Sequence, residues 1–170
     1  MVIPRRKVSV HPNYFRGRQE GTPEYTSLLN VAKDFAQYWR DGYHPDFGRD
    51  KPLERPDDVK EAGLCKVHTL IFELSPENKE FWDAKSLASL GPYYRSHTHE
   101  CDSFLLYAVS SQGTALILAL YDQDGHNLLK KPHYPVLIAL GEHAKVFFES
   151  IGESPAPEED LLNFLKTPTI

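Results

Sequence analysis

His126 stands four and five residues ahead of Lys130 and Lys131, just past an apolar run at 115–121. An imidazole titrates near neutrality and moves protons in either direction, while ammonium groups beside it stabilise an anion. His68 lies in a second apolar segment, where alternation puts it on one face with Lys66 and Leu70. Arg49 and Arg95 add fixed positive charge of the kind that holds a phosphate. A different chemistry is open at His97-Thr-His99-Glu-Cys101. In an extended strand the two imidazoles and the thiolate project from one face, a donor set that suits Zn²⁺. Each feature also has a plainer reading. His126 with its lysines is then a solvated loop, His68 a half-buried ring bonded to a neighbour, and Arg49 part of an ion-pair cluster formed by Arg40-Asp41 and Arg49-Asp50.

The elements that must position these groups follow from the apolar pattern. Two apolar runs, 104–109 and 115–121, flank Ser110-Ser-Gln-Gly113, a short polar segment with the glycine that a tight reversal needs. The spacing predicts a β-hairpin whose second strand, apolar at nearly every position, is covered on both faces and empties into the loop carrying His126. A further strand is predicted over 64–74, rich in β-branched and aromatic residues, and a short one over 7–10. Thr22-Pro23 opens a helix with a hydroxyl cap and a proline in the first turn. Leu28, Val31, Ala32, Phe35 and Trp39 form its apolar stripe, and Gly42 stands where a helix stops. Residues 43–63 read as loop with a short helical turn, 76–90 as a helix, and Leu137, Leu140, Ala144, Phe147 and Ile151 as the stripe of a last helix starting at Pro135. The order predicts an α+β fold, a small mainly antiparallel sheet with packed helices.

Bulk properties narrow the class. A chain of 170 residues with 41% hydrophobic residues builds one core, and no apolar run approaches the roughly 20 residues of a membrane span. The expectation is a cytoplasmic protein with no membrane partner. Cys65 and Cys101 are too few for a disulfide framework and read as reduced thiols. The net charge of -5 argues against a protein coated all over by nucleic acid. That charge is uneven: residues 1–19 hold Arg5, Arg6, Lys7, Arg16 and Arg18 and no acid, leaving 14 positive against 24 negative residues in the rest. The chain therefore divides into a single domain over 1–150 with a basic N-terminal arm, and an acidic, proline-containing tail over 151–170.

The pattern Phe35-x-x-Tyr38-x-Arg40-Asp41-Gly42, then Pro45-Asp46 and Phe47-Gly48-Arg49-Asp50, resembles the signature of the YafO family of bacterial toxins. Val67-His68, Arg95, Asp102-x-x-Leu105-Leu106-Tyr107, Leu116-Ile-Leu-Ala-Leu120 and His126-x-Leu128 with Lys130 follow in the family's order, so the resemblance runs over residues 28–148. It implies the toxin of a type II toxin-antitoxin pair, RelE-like in broad topology: an endoribonuclease, or mRNA interferase, that cuts mRNA on the ribosome and is neutralised by a cognate antitoxin. Its partners would be that antitoxin, the ribosome and mRNA, and it would need no cofactor.

Metal-free RNA cleavage requires a base for the ribose 2′-OH, charge stabilisation at phosphorus and an acid for the departing 5′-oxygen. With the resemblance, His126, His68 and Arg95 become the catalytic candidates, and Arg49, Lys130, Lys131 and Lys66 the RNA- or phosphate-binding ones. Two rival readings stay open: a zinc-dependent hydrolase using His97, His99 and Cys101, and a toxin-like binding module that cuts nothing.

Overall fold

A computed structural model describes residues 7–42, 44–69, 103–121 and 125–164, with the backbone alone for Arg49 and His126. Arg95, His97, His99, Cys101 and the helix predicted over 76–90 lie outside the described residues. Among these residues five strands form one mixed sheet: β1 (Val8–Val10), β2 (Phe47–Pro52), β3 (Leu64–Thr69), β4 (Phe104–Val109) and β5 (Ala115–Tyr121). Their spatial order is β1-β5-β4-β3-β2, with β1 parallel to β5 and every other neighbour antiparallel. Helices α1 (Pro23–Asp41), α2 (Asp57–Glu61), α3 (Gly125–Leu128), α4 (Tyr134–Ser150) and α5 (Glu158–Phe164) complete an α+β domain. No described helix is long and apolar enough to cross a membrane.

Every residue of β3 and β4 is buried because helices cover both faces of the sheet. On one face Cys65, Val67, Leu105, Tyr107 and Ile117 meet Phe35 and Trp39 of α1 and Leu161 and Phe164 of α5. On the other, Leu64, Phe104, Leu106, Leu116 and Leu118 meet Val59 of α2, Leu128 of α3, and Leu137, Ala144 and Phe148 of α4. The α1 ends are those the sequence predicts: Thr22 Oγ1 accepts the Tyr25 N–H, and Gly42, at φ 76°, donates its N–H to the Tyr38 carbonyl.

One end of the sheet is stitched shut. Ser110 Oγ accepts the N–H groups of Gln112 and Thr114 inside the hairpin turn, and Trp39 Nε1–H donates to the Gly113 carbonyl. Residues 154–156 then cross the hairpin as a strap, with Ser111 N–H on the Ser154 carbonyl and Ala156 N–H on the Val109 carbonyl, both at 2.8 Å. Gly63 sits beneath this strap at φ +72°, where an added Cβ would come within 2.7 Å of the Val109 carbonyl oxygen.

Two elements correct the sequence reading. The stretch predicted as loop contains β2, whose Gly, Arg, Asp, Lys and Pro have weak strand propensity. Pairing with β3 and burial of Phe47 hold it in place, and as an edge strand it tolerates Pro52. The loop predicted to carry His126 contains the short helix α3.

Candidate functional site at the open end of the sheet

The opposite end of the sheet is where β3 leaves, β4 enters and β5 leaves. Ser103 Oγ donates to the Thr69 carbonyl at 2.7 Å and Thr69 N–H donates to the Ser103 carbonyl, pinning the two strand ends together. His68, Phe104 and Tyr121 stand opposite one another on the three adjacent strands β3, β4 and β5. Two strand spacings, about 10 Å, therefore separate His68 from the point where the chain departs toward His126. The rings interlock: His68 meets Phe104 edge-on at 6.1 Å, and Phe104 meets Tyr121 at 5.8 Å.

Alternation puts Lys66 on the same face as His68, as the sequence predicts, and its ammonium lies 5.4 Å above the Phe104 ring. Both are buried, Lys66 at 5% exposure and His68 at 1%, so they form the wall behind the exit and not its surface. Burial also raises the Tyr121 phenol above its ordinary range, which keeps it protonated.

After β5 comes α3, anchored by the buried Leu128, and His126 lies in its helical turn. Lys130, Lys131 and His133 follow on the exposed surface. A 3-10 turn, Lys131–His133, leads into α4, closed by the His133 N–H on the Lys130 carbonyl. The N-cap of α4, His133, makes no side-chain cap bond, Pro135 occupies the first turn, and that turn holds no acidic residue. The N-terminal N–H groups and partial positive charge of this helix thus adjoin three basic side chains.

The residues that carry the family-like signature serve another purpose. Asp50 is 3% exposed and its carboxylate accepts the Tyr38 hydroxyl at 2.7 Å and the Tyr107 hydroxyl at 2.7 Å to each oxygen. Phe35 packs against Tyr38, Phe47 and Tyr107 around this cluster. Burial, with the Asp50 charge beside it, pushes both the Tyr107 hydroxyl and the Cys65 thiol well above their ordinary ranges, so Cys65 is an inert thiol. Of the ion-pair cluster read from Arg40-Asp41 and Arg49-Asp50, Arg40 bonds its exposed neighbour Asp41 at 2.9 Å and Asp50 turns inward to the tyrosines, while the Arg49 side chain lies outside the described residues. Sequence reasoning missed this buried carboxylate. The available signal was an acid placed between a tyrosine-bearing helix and a tyrosine-bearing strand.

A second cluster also escaped the sequence reading. Side-chain donor atoms of Asp34, His44 and Asp46 lie within 4.8 Å of one another at the turn between α1 and β2. His44 Nδ1 accepts the Asp46 N–H at 3.2 Å, which leaves the ring proton on Nε2, 3.7 Å from Asp34. An imidazole ligating a metal through Nε2 would have to move that proton to Nδ1, which already faces a donor. The arrangement is that of a hydrogen-bonded corner.

Comparison with protein families places residues 33–149, from within α1 to the end of α4, in the family of the toxin YafO, type II toxin-antitoxin system. Comparisons with curated proteins and with solved structures give no match. The matched span includes the Asp50 cluster, the buried His68 and Lys66, and the β5 exit, and it leaves β1, the strap and α5 outside. The chain belongs to the YafO family of type II toxin-antitoxin toxins, and that membership implies a cognate antitoxin as its partner.

Proposed function

We propose that this toxin is a ribosome-dependent endoribonuclease that cuts mRNA by metal-free attack of the ribose 2′-OH, with its centre at the open end of the sheet. The observation that supports the reading is the order at that end: His68 and Lys66 stand on β3, β5 leaves two strands away opposite His68, and the His126 turn, the exposed Lys130 and Lys131 and the α4 N-terminus follow β5 in the chain. His126 serves as the proton-transfer group, and Lys130, Lys131 and the N–H groups of α4 hold the phosphate. Arg49 and Arg95 are further phosphate ligands, Arg95 stabilising charge in the transition state. His68 and Lys66 act from behind, fixing the Phe104 ring on which the exit rests.

The overall negative charge does not oppose this orientation. Glu54, Asp57, Asp58, Glu61, Glu158, Glu159 and Asp160 cluster around α2 and α5, which the Lys60–Glu158 bridge joins at 2.9 Å. That acidic pole lies at the β3 start, a six-residue strand or about 20 Å from the His68 end. Repulsion of the acidic pole from RNA turns the lysine-bearing end toward it.

Induction in a bacterial host tests the assignment. Wild type is expected to arrest growth and translation and to be rescued by co-expression of the antitoxin. His126→Ala, folded to the same melting temperature, is expected to leave growth unaffected. Equal arrest by both proteins would remove His126 from the mechanism.

A further inference from the structure

Two histidines outside the site form a feature of their own. β1 is only three residues long, joined to β5 through Val8–Ala115, Ser9–Leu116 and Val10–Ile117, and its hold ends with the His11 N–H on the Ile117 carbonyl. His11 then caps the 3-10 turn Pro12–Phe15, its Nδ1 accepting the Asn13 N–H at 3.2 Å. Its ring lies flat against that of His143 on α4, centroids 4.9 Å apart and planes within 6°. His143 Nδ1 is buried and has no hydrogen-bond partner among the described residues.

We infer that the His11–His143 stack is a pH-sensitive clasp that holds the N-terminal β1 segment on the sheet and releases it on protonation. Three features oppose a proton there. The His11 cap requires a lone pair on Nδ1, and a protonated Nδ1 would face the Asn13 N–H donor to donor. Two imidazolium rings stacked at this distance repel each other. The facing His143 ring brings no acceptor to the pair, its buried Nδ1 having no hydrogen-bond partner among the described residues.

Neighbouring charges do not compensate. On α4, Glu142 and Lys145 pair with one another. β1 and the 3-10 turn hold no acid or base besides His11 and the Tyr14 phenol, and β5 offers only the Tyr121 phenol. Burial, and then the neighbouring His143, lower the His11 pKa. The sign follows: the released state binds the proton more readily, so the clasp is at full strength above 6.5, the ordinary His11 value, and weakens as pH falls through it. His11 lies outside the family-matched residues, so the device does not depend on the nuclease reading.

Amide hydrogen exchange on the full chain, corrected for intrinsic rates and compared at about pH 7.5 and about pH 5.5, on either side of the histidine range, tests this. Protection at residues 8–15 is expected to fall several-fold at the lower pH, while the strap amide of Ala156 holds its protection. The His11→Asn, His143→Phe double variant, which keeps a neutral cap and an aromatic ring, is expected to lose the pH response. Unchanged protection in wild type, equal loss at Ala156, or the same response in the double variant would each overturn the clasp.

Discussion

Replacing Tyr107 with Phe removes one hydroxyl from the centre of the molecule and changes little else. That hydroxyl reaches both oxygens of Asp50 at 2.7 Å, whereas Tyr38 reaches one, and the three side chains are 0%, 5% and 3% exposed for Tyr107, Tyr38 and Asp50. A hydrogen bond to a charged partner contributes about 1.5–3 kcal/mol, and a buried carboxylate left short of donors keeps its desolvation cost. Tyr107→Phe should therefore cost about 2–3 kcal/mol and Tyr38→Phe about 1–2 kcal/mol. Asp50→Ala removes the carboxylate that both hydroxyls bond and opens a gap, for about 3–5 kcal/mol. In a domain of this size 1 kcal/mol shifts the melting temperature by about 2–4 °C, so Tyr107→Phe should lower it by about 5–10 °C in a thermal melt followed by circular dichroism. Because the groups share one network, Tyr107→Phe should cost about 1 kcal/mol less in an Asp50→Asn background. A Tyr107→Phe protein melting within the noise of wild type, or strictly additive double-variant energies, would refute the assignment of Asp50 as the core's polar anchor.

Other outcomes follow from the same structure. Gly63→Ala forces a side chain into positive φ and against the Val109 carbonyl, and should destabilise by about 2 kcal/mol or more in urea titration. Phe164→Ala, at 3% exposure and packed 6.0 Å from the Trp39 ring, should cost about 2–4 kcal/mol, discounted from a central core site because α5 lies at the domain edge. The phenols of Tyr14, Tyr107 and Tyr121 are all raised, chiefly by burial. Since the unfolded chain gives up those protons first, stability should be undiminished below the ordinary value of 10.0 and should fall as pH rises above it, read as a declining urea midpoint.

How much of this was legible in the sequence depends on where each signal resides. Helix α1 was readable end to end because Thr22, Pro23, the apolar stripe and Gly42 all act locally. The hairpin was readable because two long apolar runs leave only five residues, 110–114, between them. β2 was not, since its six residues are held by pairing with β3 and not by their own preference. The position of Lys66 and His68 on one face followed from alternation, but their burial did not: it depends on neighbours distant in sequence, such as the Phe104 ring that both meet. Asp50 was quoted only as a motif letter and an ion-pair partner, because its tyrosines come from positions 12 residues before and 57 after. The residues most useful for recognising the family therefore turn out to hold the core together, while the chemical candidates at the β5 exit rest on far less distinctive sequence.

The central claim is tested most directly by the ends of the cut RNA. Purified toxin, first stripped of bound metal by dialysis against chelator, is incubated with translating ribosomes and a defined mRNA in magnesium-containing buffer, and the new termini are analysed by mass spectrometry. In-line attack by the 2′-OH leaves a 2′,3′-cyclic phosphate and a 5′-hydroxyl, and these ends should form with wild type and not with His126→Ala. Cleavage by the untreated but not by the stripped toxin, ends carrying 3′-hydroxyl and 5′-phosphate, or no cleavage at all would contradict the account.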